Sequence, residues 1–438
     1  MKKFNTSPIS GMQELLPEKQ AIFNDYKSKI AEVYHLHGFL NIETPTIDRN
    51  EILFAKAGGD TEKQIYRVIK TDESAEDSTE SLRFDHTVPL ARYVVEHESD
   101  LHFPFRVSQI GRNFRGERPQ KGRYRELYQC DVDVVGRNTL PIFYDAQVIY
   151  TFVEAVKSFV KTPVLVRINN RKFVSGFIEA IGAVNQEQDI NSIIDHSEKV
   201  PAEKTLEYLH ELGLTEDTVV KITTFIDTKG SVDDIKSMLD NMGLEYTDDG
   251  LDNLSQGLAQ LEIVSADLIE MGLNTNEFVI DMKIVRGLDY YTGTVFEGLL
   301  PEHPEVGSIG GGGRYDNLAS NFTDQRFPGV GASIGLTRLF YILNESGLVD
   351  KETSAPIDYA IIPLDASAYK TAYQLAGKFR GEGQSATIIP VEKKLGDAMK
   401  VAASIAKKGI VLGEDEVKNG SCKVKDFSTG DQTPLELK

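Results

Sequence analysis

The chain has 438 residues, of which 40% are hydrophobic and 26% are charged, and this composition excludes a disordered or fibrous protein. At about 150 residues per domain, the length predicts two or three domains. The net charge of −19 argues against a general nucleic-acid coat, because phosphate binding needs clustered Lys and Arg. Residues 355–438 are close to neutral, so any contact with nucleic acid must use local patches.

Neither membrane insertion nor disulfide bonding is indicated. No window approaches the ~20 apolar residues of a membrane span, and the two N-terminal lysines precede no apolar run. Cys130 and Cys422 lie far apart and form no C-x-x-C pair, and no His/Cys cluster indicates zinc. We therefore expect a cytoplasmic protein.

Helix and strand patterns follow one another along the chain. A helix is predicted from Pro17, with its stop at Gly38. Strands are predicted at 39–47, at 105–115 and at 124–136, while 81–97 predicts a strand that leads into a helix. Residues 170–270 predict an all-α insertion, strand patterns return from 278 to 334, and strands alternate with helices from 355 to 438.

The predicted strand at 124–136 has two unlike faces, because alternate side chains share a face. One face is mostly apolar and suits a core. The other is polar and consists of Arg125, Leu127, Gln129, Asp131 and Asp133. A packed core would not tolerate these groups without partners, so this face is either exposed or the floor under a polar ligand.

Arginines are concentrated around the loop "GERPQKGR" (116–123), at positions 112, 115, 118, 123 and 125. Arginine binds phosphate oxygens bidentately, so this loop suits a polyphosphate. The sequence has no G-x-x-x-x-G-K-[ST] motif, so ATP would bind here without a P-loop.

Two features of the later strands are unusual. Gly310–Gly313 lie within a strand pattern, which indicates either the close approach of a backbone or ligand, or a flexible turn. In 278–286, an alternating apolar row from Phe278 to Ile284 continues into Arg286. A buried arginine needs an anion, which is either Asp289 or a ligand phosphate or carboxylate.

The segments "VRGLDYYTGTVFE" (285–297) and "GGGRYDNL" (311–318) resemble the two signature segments of the histidyl-tRNA synthetases, a family of class II aminoacyl-tRNA synthetases. "FLNIETP", "FRGERPQKGRYRELYQCDVDVVG" and "GVGASIGLTRL" are similar to class II motifs 1, 2 and 3. The five segments occur in the family's order over nearly the whole chain.

This resemblance implies an α+β fold with a class II antiparallel sheet flanked by helices. It implies a catalytic domain split between 1–169 and 271–345, a helical insertion at 170–270 and an α/β anticodon-binding domain at 355–438. The expected activity joins L-histidine to tRNA(His) through histidyl-adenylate, with ATP as substrate, Mg²⁺ present at ligands that the sequence does not identify, and a homodimer formed through motif 1.

Site residues follow from the resemblance position by position. Arg115 and Arg286 match arginines at the α-phosphate and are the expected catalytic residues, Arg123 matches one at the distal phosphates, and Arg338 matches one beside adenine. The expected histidine-binding residues, besides Arg286, are Asp85, Thr87, Gln129, Asp133, Tyr290, Tyr291 and Tyr315. Among them, Asp85, Thr87 and Gln129 match ammonium-binding positions, and Asp133 with Tyr291 matches positions that recognise imidazole.

The sequence departs from the family at several of these positions. Asp85 and Asp133 stand where many bacterial members have glutamate, which implies a reshaped pocket. Leu127 stands where an aromatic residue usually stacks on adenine, and Thr337 where a glutamate usually precedes the motif 3 arginine.

Two alternatives have binding roles without catalysis. One is the regulatory subunit of ATP phosphoribosyltransferase, an inactive paralogue that senses histidine, and the other is a synthetase-like module of a stress-sensing protein. The regulatory subunit typically lacks the C-terminal domain and the signature arginine, and both are present here. The intact motif 2 arginines argue against the sensing module.

Overall fold

The computed structural model describes residues 4–55, 62–72, 74, 77–247, 252–285, 290–349 and 357–437. The chain divides into two compact units, one of Met1–Gln13 with Lys27–Leu348 and the other of Glu14–Tyr26 with Val349–Lys438. In the described ranges, no helix combines the length and the apolar character needed to cross a bilayer.

Helix α1 begins at the predicted Pro17 and stops before Gly38, whose φ of 78° ends the helical path. The described α-helices are α1 (Pro17–Leu36), α2 (Asn50–Leu53), α3 (Thr87–Glu96), α4 (Phe143–Lys157), α5 (Arg171–Ala180), α6 (Glu187–His196), α7 (Ala202–Glu211), α8 (Glu216–Asp227), α9 (Val232–Asn241), α10 (Asn253–Glu270), α11 (Leu336–Glu345), α12 (Ala368–Gly381), α13 (Leu395–Ile405) and α14 (Glu414–Asn419). Short 3₁₀ helices lie at Val184–Gln186, Pro304–Val306 and Leu318–Asn321.

The described strands form three sheets. They are β1 (Leu40–Asn41), β2 (Ile47–Arg49), β3 (Arg67–Val68), β4 (Glu80–Leu82), β5 (Phe105–Phe114), β6 (Glu126–Val135), β7 (Leu165–Asn170), β8 (Lys229–Gly230), β9 (Phe278–Asp281), β10 (Thr294–Leu299), β11 (Gly310–Tyr315), β12 (Gly329–Ile334), β13 (Ile357–Pro363), β14 (Ala386–Ile388), β15 (Ala406–Leu412), β16 (Ser421–Asp426) and β17 (Gln432–Glu436).

The largest sheet has the order β1-β5-β6-β12-β11-β10-β7-β9-β8. Its strands from β5 to β7 are antiparallel, and the pairs β1·β5 and β7·β9 are parallel. A smaller sheet has the order β2-β4-β3. The predicted α+β class with an antiparallel central sheet is therefore confirmed.

Two predicted strands are interrupted. The strand predicted at 39–47 becomes β1 in the large sheet and β2 in the small one, and Pro45 between them has no amide hydrogen to donate to a ladder. The row predicted from Phe278 to Arg286 ends as a strand at Asp281, whose Oδ1 accepts the backbone N–H of Lys283 at 3.0 Å. Strand alternation is thus wrong beyond this turn, where Met282 and Val285 are both buried.

The segment 170–270 is helical in its described part, with the addition of the two-residue strand β8. Helices α5 and α10 approach closely where each has a glycine. A Cβ on Gly176 would lie 2.1 Å from the backbone nitrogen of Leu254, and one on Gly257 would lie 2.2 Å from that of Phe173. Because glycine has no side chain, the two helices can make this contact. It holds together the first and last helices of the segment 170–270.

The C-terminal sheet has the order β14-β13-β15-β16-β17, with β13 parallel to both neighbours and β15–β17 antiparallel. Both faces of β13 are buried: Ile361 packs in one cluster with α12, and Ala360 and Ile362 pack in another with α13. Helices thus cover the two faces of a mixed sheet, as the alternating pattern predicts.

Candidate active site

A cleft of ≈ 720 Å³ opens over β6, β11 and β12 within the first unit. Six of the expected site residues line it, namely Arg115, Arg123, Leu127, Gln129, Tyr291 and Arg338. Five more, Asp85, Thr87, Asp133, Tyr290 and Tyr315, lie beside it in the contacts given below. Arg286 and Asp289 lie outside the described residues.

Arg115 is held at the edge of the polar floor. Its Nη2 donates to Gln129 Oε1 at 3.0 Å, its Nε donates to the backbone oxygen of Phe84 at 3.3 Å, and its guanidinium carbon lies 4.6 Å from the centre of the Phe84 ring. These contacts fix the guanidinium plane while leaving part of it facing the cleft. The arrangement suits an oxyanion that arrives from the cleft.

Arg123 and Arg338 place two like charges at the other side of the cleft. Burial lowers the pKa of Arg338, and the positive charge of Arg123 lowers it further. Glu117 Oε2 lies 3.6 Å from Arg123 Nη1, so the pair is only partly neutralised. A polyanion between the two guanidiniums would relieve their repulsion.

The other arginines of the loop have different roles. Arg112 Nε pairs with Glu126 Oε1 at 2.6 Å, and Arg125 donates to the backbone oxygens of Glu117 at 3.2 Å and Ser10 at 3.4 Å. Arg118 is exposed. The predicted polyphosphate site therefore has Arg115 and Arg123 of these five arginines in its lining.

The polar face of β6 is a paired floor rather than an exposed surface. Gln129 Oε1 accepts from Asn113 Nδ2 at 2.9 Å, and Gln129 Nε2 donates to Ser333 Oγ at 2.6 Å. Both ends of the Gln129 amide are thus engaged, which fixes its orientation. Asp131 and Asp133 are each 4% exposed, so of the two alternatives for this face the solvent-exposed one is wrong.

Asp133 and Tyr315 are both buried beside the cleft, where Tyr315 Oη donates to Asp133 Oδ1 at 2.8 Å. Glycines of β12 lie opposite both residues, with Gly329 in register with Tyr315 and Gly331 in register with Asp133. A Cβ on Gly331 would lie 2.0 Å from Asp133 Oδ1, and one on Gly329 would lie 2.3 Å from the Tyr315 ring. These glycines therefore leave the space that the acceptor and the phenol occupy.

Several carboxyl groups are buried close together in this region. Burial, followed by the charges of Asp131 and Asp85, raises the pKa of Asp133 to about 8, and the bond from Tyr315 opposes the rise. Burial also raises the pKa of Asp85, against the donated Val88 N–H and the charge of Arg115. A cationic group such as an ammonium would stabilise both carboxylates.

Three tyrosines connect the carboxylates to the cleft. The ring centres of Tyr290 and Tyr291 are 4.9 Å apart, those of Tyr290 and Tyr315 are 6.1 Å apart, and both pairs meet edge to face. Thr87 makes a side-chain hydrogen bond to Tyr290. The structure thus brings the five expected residues beside the cleft into one contiguous group.

The four consecutive glycines lie between β10 and β12. A Cβ on any of them would lie between 1.9 and 2.7 Å from a backbone oxygen of Ser333, Phe296, Gly331 or Thr294. The prediction of a close backbone approach is confirmed and the flexible turn is wrong. Gly310–Gly312 also line the cleft.

Thr337 occupies the position where motif 3 usually has glutamate. Its Oγ1 accepts the backbone N–H of Tyr128 at 2.7 Å. Strand β12 ends at Ile334, opposite Cys130, so this hydroxyl extends the hydrogen bonding of β6 beyond the end of its neighbour. The departure therefore has a structural role.

Sequence reasoning missed a charged group at the mouth of the cleft. Arg167 on β7 contacts Glu198, lies 2.7 Å from Glu297 Oε2 and lies 3.4 Å from Asp281 Oδ2. Lys283 lines the same region. The parity of β7 could have indicated Arg167, since its neighbours Val166 and Ile168 are fully buried on the other face.

The residues present do not fit a resident Mg²⁺ ion. Of the carboxylates that line the cleft, Glu117 faces Arg123, Glu198 and Glu297 face Arg167, and Asp195 Oδ2 lies 3.2 Å from Lys199 Nζ. Within the described ranges, no three His, Cys, Asp or Glu side chains converge as metal ligands. Magnesium prefers water and phosphate oxygens to an all-protein cage, so a nucleotide would bring it.

A largely antiparallel sheet that places arginines beside a paired polar floor, in a chain without a P-loop, defines the class of this protein: it has the fold of a class II aminoacyl-tRNA synthetase. Residues 11–339 match the family model for histidyl-tRNA synthetase, and residues 358–438 match that for an anticodon binding domain.

Comparison with known proteins points to the same family. The curated histidine–tRNA ligase of Clostridium tetani (strain Massachusetts / E88) is 40% identical over 440 residues, which cover 100% of this chain and 98% of the relative. The crystal structure of histidyl-tRNA synthetase from Nostoc sp. PCC 7120 has a TM-score of 0.87 at 32% identity, over 99% of this chain and 97% of the other. The chain belongs to the histidyl-tRNA synthetase family.

A third similarity shows the fold alone. The structure described as an ATP phosphoribosyltransferase regulatory subunit/histidyl-tRNA synthetase from Bacillus halodurans C has a TM-score of 0.75 at 21% identity, and the match covers 94% of this chain and 99% of that one.

Proposed function

We propose that this protein is a histidine–tRNA ligase, which activates L-histidine with ATP and transfers it to the 3′ end of tRNA(His). The observation that carries the proposal is that two unlike regions adjoin each other, one lining the cleft and one buried beside it. Arg115, Arg123 and Arg338 suit the phosphates and the nucleoside side of ATP, while the buried group around Asp133 suits a cationic amino acid.

In the activation step, a carboxylate oxygen of histidine attacks the α-phosphorus of ATP. The bond from that phosphorus to the oxygen bridging the β-phosphate breaks, and pyrophosphate leaves with the electron pair. Arg115, with Arg286, stabilises the charge on the α-phosphate oxygens, and Arg123 holds the departing phosphates. The protein supplies positioning and charge, and no side chain forms a covalent bond.

Recognition of histidine is divided between two groups. Asp85, Thr87 and Gln129 hold the ammonium, and Asp133 with Tyr291 reads the imidazole, with Tyr290 and Tyr315 supporting them. Imidazole donates from one nitrogen and accepts at the other, which a carboxyl and a phenol can match. Leu127 offers the adenine an aliphatic surface in place of an aromatic ring.

In the transfer step, the 3′-terminal ribose hydroxyl of the tRNA loses its proton and attacks the carbonyl carbon of the adenylate. The bond from that carbon to the phosphate oxygen breaks, and AMP leaves with the electron pair. We assign catalysis to residues 1–169 and 271–345, the insertion to 170–270 and anticodon binding to 355–438. The protein works in the cytoplasm as a homodimer and takes ATP as its magnesium complex. The match of 358–438 to an anticodon binding domain favours the ligase over a regulatory subunit.

The test is ATP–pyrophosphate exchange with each of the twenty amino acids in turn. We expect exchange with histidine and background rates with the other nineteen. Binding of histidine without any exchange would instead support the regulatory-subunit alternative. Exchange driven equally well by another amino acid would refute the assignment of the substrate.

A further inference from the structure

A buried pair outside the cleft joins His86 to Asp131. His86 Nδ1 lies 2.8 Å from Asp131 Oδ2, and the two side chains are 1% and 5% exposed. With a carboxylate as its partner, Nδ1 is the donor. His86 Nε2 and Asp131 Oδ1 have no hydrogen-bond partner among the described residues, and neither residue lines the cleft.

The sequence neighbours of this pair are the proposed contacts of histidine. His86 lies between Asp85 and Thr87, and Thr87 is the first residue of α3. Asp131 lies two residues from both Gln129 and Asp133, and residues two apart in a strand share a face. The hydrogen bond between His86 and Asp131 therefore joins the two segments that together form the amino-acid pocket.

The fold makes room for this bond at Gly111 on β5. A Cβ at Gly111 would lie 3.1 Å from His86 Nε2 and 2.7 Å from Arg83 Nη2. Gly111 is in register with Gln129 of β6, so the imidazole passes over the one position of β5 that has no side chain. A larger residue there would separate the 85–87 segment from β6.

Other contacts hold the main chain of this segment to different elements. Arg83 Nη1 donates to the backbone oxygen of Thr44 at 2.7 Å, and Gln109 Nε2 donates to that of His86 at 3.3 Å. They attach the segment to residue 44 and to β5. The bond to Asp131 reaches β6, the strand that holds Gln129 and Asp133.

We propose that His86 and Asp131 are positioning residues that hold the two halves of the histidine pocket in register, so that their bond affects the affinity for histidine much more than the affinity for ATP. This inference rests on the proposed function. Ligand-binding groups must stay within about 0.5 Å of their productive positions, and such positions depend on the buried side chains behind them. In the ATP region, Arg123 is supported separately by Glu117, whereas Arg115 contacts Phe84 and Gln129 of the two segments that this bond joins.

The test compares His86→Leu with His86→Asn in histidine-dependent pyrophosphate exchange. Leucine removes the donor, and loss of a buried hydrogen-bond partner predicts a rise of about tenfold or more in the KM for histidine. The KM for ATP rises by about threefold at most, because among the arginines of the ATP region only Arg115 contacts the segments that this bond joins. Asparagine places an amide donor near the position of Nδ1 and restores the KM for histidine to within about threefold of the wild type.

Tyr34→Phe is the matched control. Tyr34 is 1% exposed, and its hydroxyl donates to the backbone oxygen of Cys130 at 2.9 Å, so this variant also loses one buried hydrogen bond at β6. We expect it to leave both KM values unchanged. If the leucine variant does not fold, His86→Gln serves, since its amide lies near the position of Nε2 and does not reach Asp131.

Equal rises in the two KM values, or the same rise with Tyr34→Phe, would overturn this inference while leaving the proposed function intact. Failure of asparagine to restore the KM for histidine would also overturn it. Absence of histidine-dependent exchange in the wild type would overturn the proposed function, and this inference with it.

Discussion

Asp133 is a carboxyl group whose environment favours its protonated form. Its pKa rises from 3.8 to about 8 on folding, first because it is buried and then because Asp131 is nearby. Between these two values the folded state binds more protons at this group than the unfolded state does. The contribution of Asp133 to the free energy of unfolding therefore falls as the pH rises through this window.

We expect Asp133→Asn to become more stable relative to the wild type as the pH rises from 5 to 9. At the acidic end the protonated carboxyl and the amide are both neutral, so the two proteins differ least. At the alkaline end the wild type carries a buried charge, and the variant gains at least ~1 kcal/mol. Urea unfolding at several pH values measures this difference.

Asp324→Asn is the control for this prediction, because Asp324 is exposed. Since the side chain of Asp324 stays in contact with solvent, we expect the stability difference between this variant and the wild type to change less with pH than that of Asp133→Asn. A constant difference for Asp133→Asn over the same range would show that Asp133 titrates as an ordinary carboxylate.

At the scale of single residues, the sequence predicted which polar side chains share a face better than it predicted which residues they contact. Strand alternation correctly placed Gln129, Asp131 and Asp133 on one polar face of β6. It could not predict that Asp131 bonds His86, 45 residues away, or that Arg314 pairs with Asp145, 169 residues away. Such contacts depend on which strands become neighbours, and periodicity within a strand has no information about that.

Helix α11 and strand β6 are joined by a contact that replaces a strand partner. Thr337 Oγ1 accepts the N–H of Tyr128 where β12 has already ended. The hydroxyl thus accepts a backbone N–H of β6 that a carbonyl of β12 would accept if β12 were longer.

We expect Thr337→Val to lower the free energy of unfolding by ~1–3 kcal/mol, since valine keeps the shape and removes the acceptor of a hydrogen bond. Thr337→Ser keeps the hydroxyl and should retain most of the stability. Denaturant unfolding of the two variants makes the comparison. Full stability of Thr337→Val would show that the hydrogen bond contributes nothing, and an equal loss in the two variants would show that the methyl group contributes as much as the hydrogen bond.

Element boundaries were predicted well where a stop is local and poorly where it is not. Gly38 ends α1 because glycine, which has no Cβ, adopts a positive φ without steric cost. The end of β9 depends on Asp281 accepting the N–H of Lys283, and an aspartate within an apolar row does not by itself predict a turn. Because the strand ends there, strand alternation no longer predicts which side chains share a face beyond residue 281.

At the scale of the whole molecule, the described site residues all lie in the unit of Lys27–Leu348, and the anticodon-binding match lies at 358–438. We expect a chain that ends at residue 354 to keep most of its pyrophosphate exchange and to lose most of its charging of tRNA(His). The physical reason is that exchange needs only the cleft, whereas charging needs the binding energy of the anticodon as well.

Circular dichroism provides the control for folding, because Glu14–Tyr26 groups with the C-terminal unit. Equal loss of exchange and charging would mean that residues 355–438 are required for folding. Full charging by the shortened chain would mean that they do not contribute to recognition of the tRNA.

In the proposed function, Arg115 lies where the sites of the two substrates meet. Its Nη2 donates to Gln129 Oε1, the oxygen that also accepts from Asn113. An α-phosphate that draws the guanidinium away frees a lone pair of Gln129 for the ammonium of histidine, and an ammonium already bound there leaves Arg115 freer to meet the phosphate. On the proposed assignment we therefore expect the two ligands to be thermodynamically linked, each raising the affinity for the other by the same factor.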